Sequence, residues 1–395
     1  MKISRRAEKM PASPIRKLVP YAEKAKERGI KVYHLNIGQP DIPTPEIFFR
    51  YLRKNLGDVV AYSHSAGIIE LRRAFLNYYA SFGVELTEDE VIVTNGGSEA
   101  VIFAMAAIAD PGDEIVVIEP FYANYKGFAS LLNIKLVPVR AEVSNGYRLP
   151  PKERFEEAIT SKTRAILFSN PSNPTGVVLT SSEIDTLIQF AEKHNLFLIS
   201  DEVYREFAFD GRESISLLKH YKSERVIMTD SLSKRYSACG TRIGLFATHN
   251  RQIYDAAMKF AQARLSPPTV AQQGAVGLLE LGKEYTDKVK NEYQLRRDVV
   301  FEELSKIPGV LLTKPEGAFY VSVALPVDDA ERFVKWMLTD FNDSGETVMV
   351  APLSGFYATE GSGKKEIRIA YVLERRKLKR ACELLRKGIE GYNRL

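Results

Sequence analysis

The chain has 395 residues, 45% of them hydrophobic and 27% charged, with a formal charge of +5 from 55 basic and 50 acidic side chains. That length exceeds one ordinary core and calls for two units, and that balance describes a soluble globular protein. The positive excess is small and dispersed, the two cysteines form no C-x-x-C pair and the five histidines lack ligand spacing, which argues against a nucleic-acid surface, a disulfide framework and a metal site.

Asn36-Ile-Gly-Gln-Pro-Asp41 and Ala61-Tyr-Ser-His-Ser-Ala-Gly67 are the first distinctive segments. From residue 91 onward, short β-branched runs alternate with helical patterns. Runs at 91–94, 114–118, 134–139, 164–168, 196–199, 225–229 and 243–247 predict strands, several apolar throughout, as in a sheet covered on both faces. Ser181–His194 predicts a helix with Ile184, Leu187, Ile188 and Ala191 on one face and Ser181 or Ser182 as its cap. This alternation predicts an α/β unit around a mostly parallel, seven-stranded sheet. A long charged helix, Glu284–Leu304, leads out of it. Strand patterns at 317–323, 347–350 and 366–371, a helix at 330–339 and a final helix predict a smaller α+β unit. The expected division is 44–290 for the large unit and 1–43 with 291–395 for the small one. The basic run Glu374–Arg380 reads as a solvated helix face. No apolar run reaches membrane-spanning or signal-peptide length, so a cytoplasmic location is expected.

Chemistry-bearing residues follow the predicted strands. Thr94-Asn-Gly-Gly-Ser98 is a strand end followed by a helix start, where backbone N–H groups form an anion site and Gly96 and Gly97 permit close approach. It is not the G-x-G-x-x-G fingerprint of dinucleotide binding. Tyr122, after Glu119-Pro-Phe, is placed to stack on a flat heterocycle. Ser169-Asn-Pro-Ser-Asn-Pro-Thr-Gly176 is a rigid turn that aims Asn173. Asp201 and Glu202 end an apolar strand, where a carboxylate seeks a cationic partner or caps the next helix. In Ser231-Leu-Ser-Lys-Arg-Tyr-Ser-Ala-Cys-Gly-Thr-Arg242, a lysine able to form a Schiff base lies beside hydroxyls and a guanidinium suited to a phosphate. Pyridoxal phosphate carries both handles, an aldehyde and a phosphate. Cys239, within this run, reads as packing. In Glu366-Ile-Arg-Ile-Ala370, alternation puts Arg368 on the face opposite Ile367 and Ile369.

Taken in this order, and over nearly the whole chain, the motifs resemble those of the class I and II aminotransferases, fold-type I pyridoxal-phosphate enzymes, with bacterial aspartate aminotransferases similar in overall pattern. The resemblance implies that Gly96, Gly97, Ser98, Ser231 and Arg242 hold the cofactor phosphate. It implies that Tyr122 lies against the ring, that Asn173 and Tyr204 reach its oxygen, and that Asp201 rather than Glu202 pairs with its nitrogen. Lys234 would carry the cofactor and move the substrate's Cα proton, in a ping-pong cycle between an amino acid and a 2-oxo acid. Arg368 would clamp the α-carboxylate while Gly38 closes over the substrate. Cis peptides are expected at Glu119–Pro120 and Asn173–Pro174. Tyr62 and Ser266-Pro-Pro-Thr269 resemble segments that reach a neighbouring subunit, which implies a homodimer with shared sites. Aspartate with 2-oxoglutarate is the favoured pair. Some relatives have a lysine for the distal carboxylate where this chain has Ser98, so Ser98, His64 and Arg264, the last near where some relatives supply a clamp from the partner subunit, are the candidates, with a surface salt bridge as the other reading of Arg264. Aromatic, alanine or other neutral donors, and a lyase on the same scaffold, are the alternatives. A cofactor-sensing module attached to a DNA-binding regulator is the reading from a different class.

Overall fold

The seven apolar runs of the central region become seven neighbouring strands. The computed structural model describes residues 1–394. Its strands are β1 (Lys31–His34), β2 (Val91–Asn95), β3 (Glu114–Glu119), β4 (Lys135–Arg140), β5 (Thr163–Ser169), β6 (Phe197–Asp201) and β7 (Val226–Ser231). They continue with β8 (Ile243–Ala247), β9 (Leu311–Leu312), β10 (Tyr320–Ala324), β11 (Glu346–Met349), β12 (Ala351–Pro352) and β13 (Glu366–Ala370). The large sheet has the order β2-β8-β7-β6-β5-β3-β4. Only β8 runs against its neighbours; the others are parallel, as the alternating pattern predicts.

Alternation along each strand explains why both faces are dry. Val91, Val93, Val116, Ile166, Leu198, Met228 and Leu245 enter one buried cluster. The intervening Ile92, Ile115, Val117, Leu167, Ile199, Ile227 and Phe246 enter another, under Gly97–Ile108 and Arg251–Ala263. Side chains of period two cannot all face one layer, so helices must cover both sides. The helix predicted at 181–194 spans Ser181–Lys193. Its cap is Thr180, not Ser181 or Ser182. Thr180 has extended backbone, its hydroxyl accepts from the Glu183 N–H at 3.3 Å, and the Glu183 carboxylate accepts from the Thr180 N–H at 2.9 Å. This reciprocal box satisfies two otherwise orphaned donors.

The C-terminal strands form a four-stranded sheet, β12-β13-β10-β9, and β1 pairs in parallel with β11, Lys31 opposite Glu346. Leu18, Ala22, Tyr33 and Leu35 therefore share a core with Phe333, Val348 and Ile369. The long charged helix runs Lys283–Ser305 and buries Tyr293, Arg296 and Arg297. The helix Arg375–Tyr392 keeps Arg375, Arg376, Lys377 and Lys379 exposed. Among the described residues no helix is long and apolar enough to cross a membrane.

Candidate active site

Parallel strands deliver their C-terminal ends to one edge of the sheet, and the loops leaving β2, β3, β5, β6 and β7 meet there. They enclose a cavity of about 600 Å³, closed on its other side by Ser13, Ile15, Arg16, residues 37–39, Tyr320 and Arg368. Open α/β sheets offer ligand sites at this edge for a topological reason, since the loops that must diverge around a reversal of strand order leave a crevice.

One end of the cavity is built to hold an anion. β2 ends at Asn95, and helix Gly97–Ile108 starts immediately, so its first N–H groups face the cavity at Gly97 and Ser98. Gly96 has φ +76° and ψ 170°, a conformation restricted to glycine, and a Cβ there would lie 2.1 Å from Arg242 Nη2. Gly96 is thus the gap through which the guanidinium approaches the helix start. Arg242 donates to the Cys239 carbonyl at 3.0 Å and to the Asn95 carbonyl at 3.4 Å. Ser231 Oγ lies 2.8 Å from Ser233 Oγ, and both line the cavity. Helix N-terminus, guanidinium and hydroxyls converge on one place, which is the donor set of a phosphate.

The middle is aromatic and acidic. Asp201 ends β6, is 7% exposed, and accepts from Tyr125 O–H at 2.6 Å and from the Val203 N–H at 3.4 Å. Burial, reinforced by the charges of Asp230 and Glu202, pushes its carboxyl up to about 6 even though Tyr125 and Val203 favour ionisation. Glu202 turns away, accepting from the Leu217 N–H at 2.9 Å and from Ser200 and Ser216 at 3.2 Å. The two acids that the sequence leaves open are therefore separated by direction, one toward the cavity and one toward the core. Tyr122 lines the cavity, receives the Asn124 amide at 2.7 Å, and meets Tyr125 edge-on at 5.5 Å. Tyr204 O–H lies 2.9 Å from Tyr320 O–H, and burial raises its phenol well above the usual range.

Lys234 follows β7 on a loop pinned from behind. Its neighbour Arg235 is 1% exposed and forks onto the fully buried Asp230, at 3.0 and 2.6 Å. Lys234 Nζ donates to the Gly38 carbonyl at 2.7 Å, across from the N-terminal segment. Cys239 lines the cavity, its thiol donating to the Ser233 carbonyl at 3.1 Å with the sulfur 3.9 Å from that nitrogen.

At the far end β13 presents Arg368, 1% exposed between the rings of Tyr320 and Phe356 at 4.3 and 4.9 Å. It donates to Asn173 Oδ1 at 2.9 Å and to the Asn36 carbonyl at 2.7 Å, and its Nε has no partner. Asn173 is held by a turn with cis bonds at Asn170–Pro171 and Asn173–Pro174; Glu119–Pro120 is also cis. The Asn170–Pro171 bond was not anticipated.

A charge inventory defines what this cavity can take. Asp201 is a buried carboxylate without a cationic partner. Lys234, Arg242 and Arg368 are cations without a carboxylate partner among the described residues. A ligand with a ring cation, a phosphate, an aldehyde and an adjoining carboxylate complements all four, and the side chains present fit pyridoxal phosphate with an amino acid. The class I and II aminotransferase family model matches residues 30–385. The chain belongs to this family. These aminotransferases depend on pyridoxal phosphate. The chain is 28% identical to an aspartate aminotransferase of Bacillus subtilis (strain 168), with both proteins covered in full. It superimposes on the aspartate aminotransferase of Thermotoga maritima with a TM-score of 0.90 at 28% identity, covering 98% of this chain and all of that one. An alanine aminotransferase from Pyrococcus furiosus gives 0.90 at 30% identity, covering 99% of this chain and all of that one.

Most of the residues expected at the site of this aminotransferase do line the cavity: Gly38, Gly97, Ser98, Tyr122, Asn173, Asp201, Tyr204, Ser231, Lys234, Arg242 and Arg368. Gly96 stands just behind Arg242. Tyr62 is 81% exposed and lies outside the cavity of its own chain. Neither Arg264 nor His64 lines it. Within its own chain Arg264 lies 3.3 Å from Glu99 and donates to the carbonyls of Ser65 and Val93, in keeping with the salt-bridge reading. His64 accepts from the Ala66 N–H at 3.1 Å within its own turn. Sequence reasoning missed Tyr125, Ser233, Tyr320 and Arg16. Tyr125 lies one helical turn from Tyr122, and Ser233 is inside the lysine run. No local pattern marks Tyr320 or Arg16.

Proposed function

We propose that this aminotransferase moves an amino group from an L-amino acid, aspartate foremost, to a 2-oxo acid such as 2-oxoglutarate. The observation that carries the cofactor half of this reading is the pairing of one cation-free buried carboxylate with Lys234, Arg242 and Arg368, three of the four carboxylate-free cations in a single cavity. When bound, pyridoxal phosphate supplies an aldehyde that takes the amino group and a ring that absorbs the electron pair left at the α-carbon. Lys234 holds the aldehyde end. With the cofactor bound, its free Nζ would take the Cα proton and return it, acting as base and then acid. Asp201 holds the ring-nitrogen proton. The anion cradle of Gly97, Ser98, Ser231 and Arg242 fixes the other end, so that the proton path stays short. Tyr204 and Asn173 would hydrogen-bond the ring oxygen, and Arg368 would grip the α-carboxylate with its fork. An amino acid entering and its 2-oxo acid leaving before the second 2-oxo acid binds, which then leaves as an amino acid, would give ping-pong kinetics.

The site is proposed to be completed by a second copy. Val59, Val60, Tyr62 and Leu265 are 80, 63, 81 and 53% exposed. Hydrogen bonds from Ser65 to the Leu265 carbonyl and from Thr269 to the Ala61 carbonyl join their two segments into one apolar face. The division at 44 and 290 belongs to the same reading, supported by the β1–β11 pairing. The aspartate choice rests on the names of relatives, and the alanine aminotransferase among the solved structures keeps small neutral donors as the second reading. Comparing kcat/KM for aspartate with alanine, phenylalanine and leucine tests it. A preference for any neutral donor overturns the aspartate choice and leaves aminotransfer intact.

A further inference from the structure

We propose that Arg16 receives the distal carboxylate of a dicarboxylic amino acid or 2-oxo acid. This rests on the aspartate reading above and supplies the side-chain clamp that reading lacks. A substrate held by its α-carboxylate on Arg368, with its reacting carbon toward Lys234, extends its side chain toward the remaining wall. A second carboxylate there, giving up part of its hydration, gains from a nearby cation.

The cavity is lined by Arg16, Lys234, Arg242 and Arg368 and by no other lysine or arginine among the described residues. Lys234 reaches Gly38 and faces the aldehyde position. Arg242 belongs to the anion cradle, and Arg368 is locked onto Asn173 and Asn36. Ser98 carries no charge, and Arg264 is tied to Glu99 outside the cavity. Arg16 is the one left over. No carboxylate pairs with it among the described residues, while the adjacent Lys17 turns to Glu331.

Its backbone is anchored although its side chain is exposed. Pro14 packs on Gly355 so closely that a Cβ there would lie 2.3 Å from the proline ring. The Ile15 carbonyl accepts the Asn36 amide at 3.2 Å, and Leu18 is buried. Ile15 packs against the cluster of Leu353, Phe356 and Tyr357. The Phe356 ring also lies beneath Arg368 at 4.9 Å. One packed cluster thus supports both guanidiniums, the fixed one for the α-carboxylate and the solvated one for the distal carboxylate. Being solvated, Arg16 bears little cost in the empty cavity and gains its partner only when a dicarboxylate enters.

The test is calorimetric binding to the holoenzyme, with succinate as dicarboxylate and butyrate as a monocarboxylate of equal length, alongside kcat/KM for aspartate and alanine. In Arg16→Ala, succinate affinity and aspartate kcat/KM are expected to fall by about 10- to 100-fold, the worth of a charge-assisted hydrogen bond. Butyrate affinity and alanine kcat/KM should change by less than about threefold. Arg16→Lys should recover part of the loss, and Lys17→Ala should match wild type. Unchanged succinate affinity in Arg16→Ala, or an equal loss for butyrate, overturns the proposal while aspartate preference in the wild type stands. A wild type that prefers neither aspartate nor succinate instead removes the aspartate reading, and this inference with it.

Discussion

Asp201 gives a prediction that needs no substrate. Its carboxyl, ordinarily at 3.8, is raised to about 6 by burial in the cofactor-free protein. A folded-state value above the unfolded one means that the native state binds the extra proton between these limits. Stability therefore falls as pH rises from about 4 to about 6 and stays lowered above that. The gap amounts to about 3 kcal/mol at ~1.4 kcal/mol per pH unit. Asp201→Asn removes this titration while keeping an acceptor for Tyr125. In urea unfolding of the apoprotein, the mutant's stability relative to wild type should therefore increase between pH 5 and pH 8, by about 1.4 kcal/mol on the same bookkeeping. Differences that do not depend on pH, such as a weakened Tyr125 contact, cancel in that comparison. A bound ring cation favours the carboxylate, so the holoprotein should lose this trend. A relative stability that is flat with pH, or that moves the other way in the apoprotein, refutes the account of Asp201 as an unpaired buried acid awaiting a cation.

Three further outcomes follow from the same geometry. Lys234→Ala should lose the visible absorbance of the loaded enzyme and nearly all turnover, and borohydride reduction of wild type followed by peptide mapping should label Lys234; label on another lysine would contradict its role. Gly96→Ala forces a side chain into a glycine-only conformation and against Arg242. At roughly 1–3 kcal/mol this should weaken pyridoxal-phosphate binding about 5- to 150-fold by fluorescence titration, with a much smaller effect on binding of dephosphorylated pyridoxal. Light scattering should find a dimer, and Tyr62→Phe should weaken phosphate-bearing cofactor without dissociating it; a fully active monomer at assay concentration would contradict the shared site.

The seven strands, their parallel run and the helices between them were legible in the sequence because each is a local pattern of period two or about 3.6 that survives without knowledge of its neighbours. The same holds for Gly96, Gly97, Asn173 and Lys234, which sit in short runs whose backbone demands are local. What local pattern could not decide is direction and partnership. Asp201 and Glu202 are adjacent and alike in sequence, yet one faces the cavity and the other accepts from Leu217 in the core. Thr180 rather than Ser181 caps its helix because the backbone turn falls one residue earlier than the hydroxyl count suggests. Arg264 and Arg16 are both lone arginines in the chain, and only packing separates them, since Glu99 neutralises the first while the docking of Pro14 and Ile15 holds the second beside an open cavity. By itself the sequence determined the layered fold, which follows from periodicity, and its motifs, through their resemblance to the aminotransferases, pointed to the cofactor and to most of the residues that line the cavity. Which charges remain unpaired, and so available to a ligand, was decided only by tertiary structure, because a charge is neutralised by whatever lies within a few ångströms in space, not by its neighbours along the chain.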